Sequence, residues 1–209
     1  MTTPLTFYTN PMSRGQIARW ALEEAGADYE AVILEYGASM KAADYLAINP
    51  MGKVPAIVHG DQVVTEAAAI CAYLADAFPD AGLAPQDHER GAYYRWLFFV
   101  AGPVEYATTL NRLGWTPPAD QVGMIGYGTY DHVVDTLEKA LGGSDYVCGD
   151  RFTAADVYVG SAVDWGLGFG TLPNRPAFET YAARLRDRPA YKRAKEIDNA
   201  LIAERQAPG

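Results

Sequence analysis

The sequence changes its pattern once, near residue 79, and that change limits the fold more than any other feature. Before it, β-prone runs alternate with helical ones. Leu5 to Tyr8 and Tyr29 to Leu34 read as strands. Between them a helix is predicted over residues 11–25, because Ile17, Ala18, Ala21, Leu22 and Ala25 recur at helical spacing. Asn10 suits its N-cap, Pro11 its first position and Gly26 its stop. Residues 39–48 are expected to form a short helix. Ala56 to His59 and Gln62 to Thr65 then read as strands joined by Gly60-Asp61, a two-residue hairpin signal. Residues 66–77 are helical, ended by Phe78-Pro79.

The predicted order is β-α-β-α-β-β-α, a βαβ unit followed by a hairpin and a helix, which is the thioredoxin-like arrangement. Residues 80–87 are polar and rich in Pro, Gly and Asp, and read as a linker. Residues 88–209 lack strand signals. Helices are predicted over 88–102, where Gly102-Pro103 should kink or break the run, over 121–141 despite Gly123, Gly126 and Gly128, from Thr153 toward Gly166, from Arg175-Pro176, and over 190–205. Thr153-Ala-Ala-Asp156 fits a capping box. The fold class expected is therefore α/β plus all-α: a domain over residues 1–79, the linker, and a helical bundle over 88–209.

A chain of 209 residues is long enough for one large domain or two small ones, each with its own core. No run of about 18 apolar residues exists, so no membrane span is expected, and no basic-then-apolar start suggests a secretory signal. Two cysteines make no disulfide framework in a chain this long, which fits a reducing, cytoplasmic setting. The net charge of −9 argues against nucleic acid as a partner. His59, His88 and His132 are scattered without ligand spacing, so no metal is expected.

The segment from Asn49 to Ile70 carries the functional information. Val54-Pro55 can present a main-chain edge to an extended peptide. Thr65, Glu66 and the following amides stand at a helix N-terminus, a natural site for an anion. The pattern suits a small peptide-like molecule bearing an amine and carboxylates. Glu66 read alone is equally a first-turn acid that favours the helix dipole.

Residues 49–70 resemble the glutathione-binding loop and hairpin of cytosolic glutathione transferases. Phe152-Thr-Ala-Ala-Asp-Val157 is similar to the capping-box segment of that family's α-domain, and Arg19 to Gly26 to the end of its first helix. The resemblance covers nearly the whole chain in the family's domain order. It implies a thioredoxin-like N-terminal domain, a helical C-terminal domain, a homodimer and detoxification chemistry with glutathione as co-substrate. It also implies a cis peptide before Pro55, a main-chain pairing of the ligand with Val54, and an ammonium contact at Glu66. The amides of Glu66 and Ala67 would take the neighbouring carboxylate, aided by Thr65. Many relatives have Ser where this chain has Ala67. Lys53 meets the glycyl carboxylate or is a solvated loop lysine. Asn49 is expected to fix the loop.

A free thiol of pKa about 8.5 is only about 3% ionised at pH 7. Lowering that pKa by about two units costs about 2.7 kcal/mol of differential stabilisation. The activator is sought in residues 8–15, where the family uses Tyr, Ser or Cys. Cys is absent there, and Ser13 is the first choice, acting as a hydroxyl donor or merely assisting the helix cap. Ungapped alignment from Arg19 instead puts Met12 at the serine-type position and leaves Arg14 to stabilise the thiolate by charge. Asn10 is a further donor candidate, a cap being its other reading; Tyr8 is expected to pack and Arg19 to form an ion pair. Aromatic residues including Trp96, Tyr106 and Trp115, with Met12, are candidates for the pocket of an apolar electrophile. Two other activities share these residues: a glutathione-dependent peroxidase or disulfide reductase, and a non-catalytic ligand-binding module.

Overall fold

The structure, a computed structural model, describes residues 3–206, so the outer limits of both predicted domains lie outside the described residues. Residues up to Ala84, together with those from Asp187 onward, form one compact unit, and Pro85–Arg186 form the second. The final helix thus packs with the first unit, although it follows the second in sequence.

The first unit holds β1 (Leu5–Thr9), α1 (Gly15–Ala25), β2 (Glu30–Ile33), α2 (Ala43–Ile48), β3 (Ala56–His59), β4 (Gln62–Thr65) and α3 (Ala67–Ala77). This is the predicted βαβαββα order. The sheet runs β2-β1-β3-β4, with β1 parallel to β2 and antiparallel to β3, and β4 antiparallel to β3. Residues alternate between faces. Phe7 and Ile57 are buried on one face, where α1 and α3 pack against each other and against the sheet. On the other, Tyr8, Val32 and Ala56 cluster with Tyr45 and Ile48 of α2.

Helix α1 starts four residues later than predicted. Asn10 is not its cap: Arg14 holds that position without a side-chain cap bond. The apolar spacing that identified the helix begins only at Ile17, and the stretch before it is turn. At the other end Gly26 adopts φ +62° and closes the helix as expected. The helix over 39–48 is split into a 3-10 turn, Ser39–Lys41, and α2.

In the second unit α4 (Arg90–Phe99) passes through a π-helical segment, Val100–Val104, into α5 (Glu105–Arg112). Of the kink or break expected at Gly102-Pro103, the structure shows no break but a local π-helical deformation. Pro103 supplies no amide and its ring crowds the carbonyl four residues back; the wider π turn takes up that misfit without ending the helix. The helix predicted over 121–141 is confined to α6 (Tyr130–Leu141), capped by Thr129, whose hydroxyl accepts from the His132 amide. Gly123, Gly126 and Gly128 lie in the loop before it, which contains one 3-10 turn.

Helix α7 (Ala154–Phe169) starts at the predicted capping box. Asp156 is wholly buried and accepts from the amides of Thr153 and Val147, each at 2.8 Å, and from the Tyr181 hydroxyl at 2.8 Å. Burial pushes its carboxyl pKa up, and these donors oppose the shift. Helix α8 (Pro176–Arg186) completes the unit.

Helix α9 (Pro189–Gln206) lies along α1. Trp20 meets Tyr191 edge-on at 5.1 Å, and the Arg188 guanidinium bridges both carboxylate oxygens of Glu24. Arg19 donates to Asp198 at 2.8 Å with both side chains almost fully buried, and its guanidinium lies 5.2 Å from the Phe7 ring centre. This is the ion-pair role expected of Arg19. No helix among the described residues is long and apolar enough to cross a membrane.

Candidate functional site

Strand register brings the functional segments together. Val32, Tyr8, Ala56 and Thr65 stand side by side across the sheet. Given the strand directions, four connections share that edge: the turn after Thr9, the segment after Ile33, the loop before Ala56 and the junction after Thr65. Residues distant in sequence, Asn10 to Gly15, Val54-Pro55 and Glu66-Ala67, therefore meet at one end of the sheet.

The loop before β3 is fastened from within. Asn49 donates to the Lys53 carbonyl at 2.8 Å and accepts from the Met51 amide at 3.1 Å. Tyr45 donates its hydroxyl to the same Lys53 carbonyl at 2.5 Å. Lys41 donates to the carbonyls of Met51 and Gly52, each at 3.0 Å. Gly52 has φ +56°, and a Cβ there would lie 2.7 Å from the Met40 carbonyl, so the loop requires glycine. Val54-Pro55 is cis. The Val54 main chain makes no hydrogen bond to any described residue, while the Lys53 side chain is exposed.

Glu66 sits between β4 and α3 with φ +65° and ψ +119°, and it alone among described non-glycine residues has positive φ. Such a conformation costs of order 1–3 kcal/mol and persists only where the surroundings enforce it. Its carboxylate is exposed and takes no part in capping α3. The first-turn amides of α3, beginning at buried Ala67, have no intrahelical acceptor. An exposed carboxylate thus stands beside an anion-favouring helix terminus.

The turn after β1 is held as tightly. Asn10, fully buried, donates to the Leu34 carbonyl at 2.7 Å and accepts from the Met12 amide at 2.9 Å. Both ends of its side chain are occupied internally. Ser13 donates its hydroxyl to the Asn10 carbonyl at 2.6 Å and accepts from the Gly15 amide at 2.9 Å. The Ser13 amide makes no hydrogen bond to any described residue. Arg14 and Met12 are exposed, Met12 at 56%. A Cβ on Gly15 would lie 2.0 Å from the buried Thr9 hydroxyl, so glycine is required here too.

The helical unit contains an apolar pocket of about 460 Å³ bounded by the π-helical segment, α5 and the loop before α6. Tyr106, Leu110, Trp115, Met124 and Tyr127 line it, without a charged side chain. Of the predicted pocket residues, Tyr106 and Trp115 belong to this group. Trp96 is buried elsewhere in the unit, with Arg95 4.5 Å from its ring centre and Phe99 edge-on at 5.6 Å.

Residues 3–76 match the model of the glutathione S-transferase N-terminal domain, and residues 61–165 that of the glutathione S-transferase C-terminal domain. Glutathione S-transferase GstA of Escherichia coli O157:H7 is 30% identical over 196 residues, covering 88% of this chain and 90% of that protein. The chain belongs to the glutathione S-transferase family. A glutathione transferase structure from Methylococcus capsulatus is 28% identical, with a TM-score of 0.76, over 94% of this chain and 99% of that one. A sphingomonad glutathione S-transferase, solved in complex with glutathione, is 28% identical with a TM-score of 0.74, over 93% of this chain and 98% of that one.

Within this transferase-family chain neither cysteine is placed as a nucleophile. Burial pushes the thiol pKa of Cys71 up to about 12 and that of Cys148 up to about 12. Cys71 is on the buried face of α3, and Cys148 is in the helical unit. Among the described residues no cluster of His, Cys, Asp or Glu has metal-ligand geometry. Sequence reasoning missed Lys41, Tyr45, Tyr36 and Gln16, which support the site-bearing loops. Tyr36 donates to the Met12 carbonyl at 3.1 Å, and Gln16 to the Pro11 carbonyl at 2.6 Å. Nothing local marks such residues, because each acts on a carbonyl at least five positions away.

Proposed function

We infer that this protein is a glutathione transferase: it binds glutathione on the first unit, ionises its thiol, and directs the thiolate at a small apolar electrophile. The observation that carries this reading is the shared sheet edge, where the unpaired Val54 main chain, the exposed Glu66 carboxylate and the open α3 amides stand together. Glutathione is complementary to that set. Its cysteinyl main chain pairs with Val54, its ammonium with Glu66, and its γ-glutamyl carboxylate with the first amides of α3 beside Thr65 and Ala67. Lys53 faces the glycyl carboxylate.

The sulfur then points to the turn of Ser13 and Arg14. Ser13 offers its unpaired amide at once, and its hydroxyl by turning away from the Asn10 carbonyl. Arg14 adds positive charge. Charge-assisted hydrogen bonds of this kind supply the required order of stabilisation. Asn10 shapes the turn. The elevated thiol pKa values of Cys71 and Cys148 favour direct attack by glutathione over exchange through a protein cysteine. The apolar lining around Tyr106 and Trp115 suits an uncharged aromatic electrophile, with Met12 exposed on the glutathione-binding unit. Tyr94 and Phe98, exposed four residues apart on α4, suit contact with a second copy of the chain.

Calorimetry with glutathione, followed by turnover of a chloro-nitroaromatic, tests the reading. Binding without turnover of that compound, of cumene hydroperoxide or of a glutathione mixed disulfide would leave only a ligand-binding module. Absence of binding would remove the reading altogether. Ser13→Ala should lower kcat about tenfold with glutathione affinity within about threefold; unchanged kcat would assign activation to the Ser13 amide and Arg14.

A further inference from the structure

Two polar chains lead from α9 to the turn of residues 10–15. In the first, Lys195 Nζ donates to Gln16 Oε1 at 2.8 Å, and Gln16 Nε2 donates to the Pro11 carbonyl at 2.6 Å. The amide orientation follows from chemistry: an ammonium has only donors, so it meets the Gln16 oxygen and turns the NH₂ group toward Pro11. Lys195 is itself held, with Nζ 5.5 Å from the Tyr191 ring centre and Asp198 one turn further along the helix. In the second chain, Arg205 pairs with the Glu35 carboxylate, and the adjacent Tyr36 donates to the Met12 carbonyl at 3.1 Å. The two chains grip the carbonyls of Pro11 and Met12, the residues directly before Ser13. Asn10 ties the turn to Leu34, the residue after β2, so its main chain is fixed on three sides.

We propose that Gln16 is a positioning residue for thiol activation, and that Lys195 of α9 sets it. The proposal rests on the glutathione reading of the turn. Gln16 faces Pro11, not the ligand, so it acts by fixing where the Ser13 amide and hydroxyl point. The ammonium behind it polarises the Gln16 amide and strengthens the bond to Pro11. A donor displaced by a fraction of an ångström still binds the tripeptide through Val54 and Glu66 but no longer meets the sulfur. Binding and thiol ionisation therefore separate in variants of this relay.

The test compares wild type with Gln16→Leu, Lys195→Met and Lys195→Arg in the full chain. Two quantities are read: the affinity for S-methylglutathione, which cannot ionise, and the pKa of bound glutathione from its thiolate absorbance. Gln16→Leu and Lys195→Met should raise the bound-thiol pKa by about one unit, a tenfold fall in its ionisation constant, with S-methylglutathione affinity within twofold. Lys195→Arg should restore the wild-type value. In the ligand-free protein, hydrogen exchange at Met12 and Gly15 should quicken in the first two variants only. An unchanged bound-thiol pKa in both, or affinity that falls in step with ionisation, overturns the role. Failure of the wild type to bind S-methylglutathione instead refutes the glutathione reading beneath it, a failure visible before any variant is made.

Discussion

At the residue scale, the site depends on conformations that residue type does not announce. Glu66 stands out in the sequence as an acid that opens an apolar helix after a hairpin. Its φ of +65° was not legible, since that region is ordinarily glycine's. Glu66→Gly should relieve the strain, raising stability by about 1 kcal/mol in thermal unfolding, while glutathione affinity falls at least tenfold by calorimetry. A variant that loses stability would show that the backbone there is not strained. Asn10 illustrates the opposite error. Its side chain and the Pro after it match a helix start, yet both its polar ends are drawn to Leu34 and Met12. A long-range partner outweighed the local signal.

At the element scale, strong periodicity was read correctly and weak periodicity was not. Strands β3 and β4 agree with the sequence because Gly60-Asp61 fixes the hairpin register from within. Helix α7 likewise begins where Thr153 and Asp156 require. Residues 121–129 failed because three glycines outweighed a few apolar side chains, and the π segment at Pro103 has no sequence signature. Asp156 holds the second unit together across elements. Asp156→Ala would leave the amides of Val147 and Thr153 and the Tyr181 hydroxyl buried without acceptors. Each orphan costs about 1–3 kcal/mol, so a loss of about 4 kcal/mol in urea unfolding is expected. Glutathione binding, which we propose uses the other unit, should survive at temperatures where the variant remains folded.

At the scale of the whole molecule, the predicted βαβαββα segment omits a part of its own unit. Helix α9 covers α1 and neutralises Arg19, which would otherwise be a buried charge without a partner. Removing one member of such a pair costs about 3–5 kcal/mol. Residues 1–84 expressed alone should therefore show little cooperative unfolding by circular dichroism, and a peptide spanning 187–206 should restore it. The buried Cys71 thiol contributes an alkaline dependence to the stability of the folded state. Cys71 ionises near 9.0 when free and about 12 when folded, so the unfolded chain releases its proton first. The stability linked to this group is complete below pH about 9 and is lost as pH rises toward 12. At pH 8 iodoacetamide should modify Cys71 only under denaturing conditions; rapid labelling of the native protein would contradict its burial.

The return of α9 to the first unit also orders events during synthesis. A ribosome makes the sheet, α1 and α3 first, then all of the helical unit, and only afterwards the strand of chain that pins Arg19 and Gln16. A nascent chain halted between residues 85 and 188 carries the segment that reads as a glutathione site but lacks the clasp that shapes it. Premature products are thereby left without the bonds from α9 that brace the turn of residues 10–15.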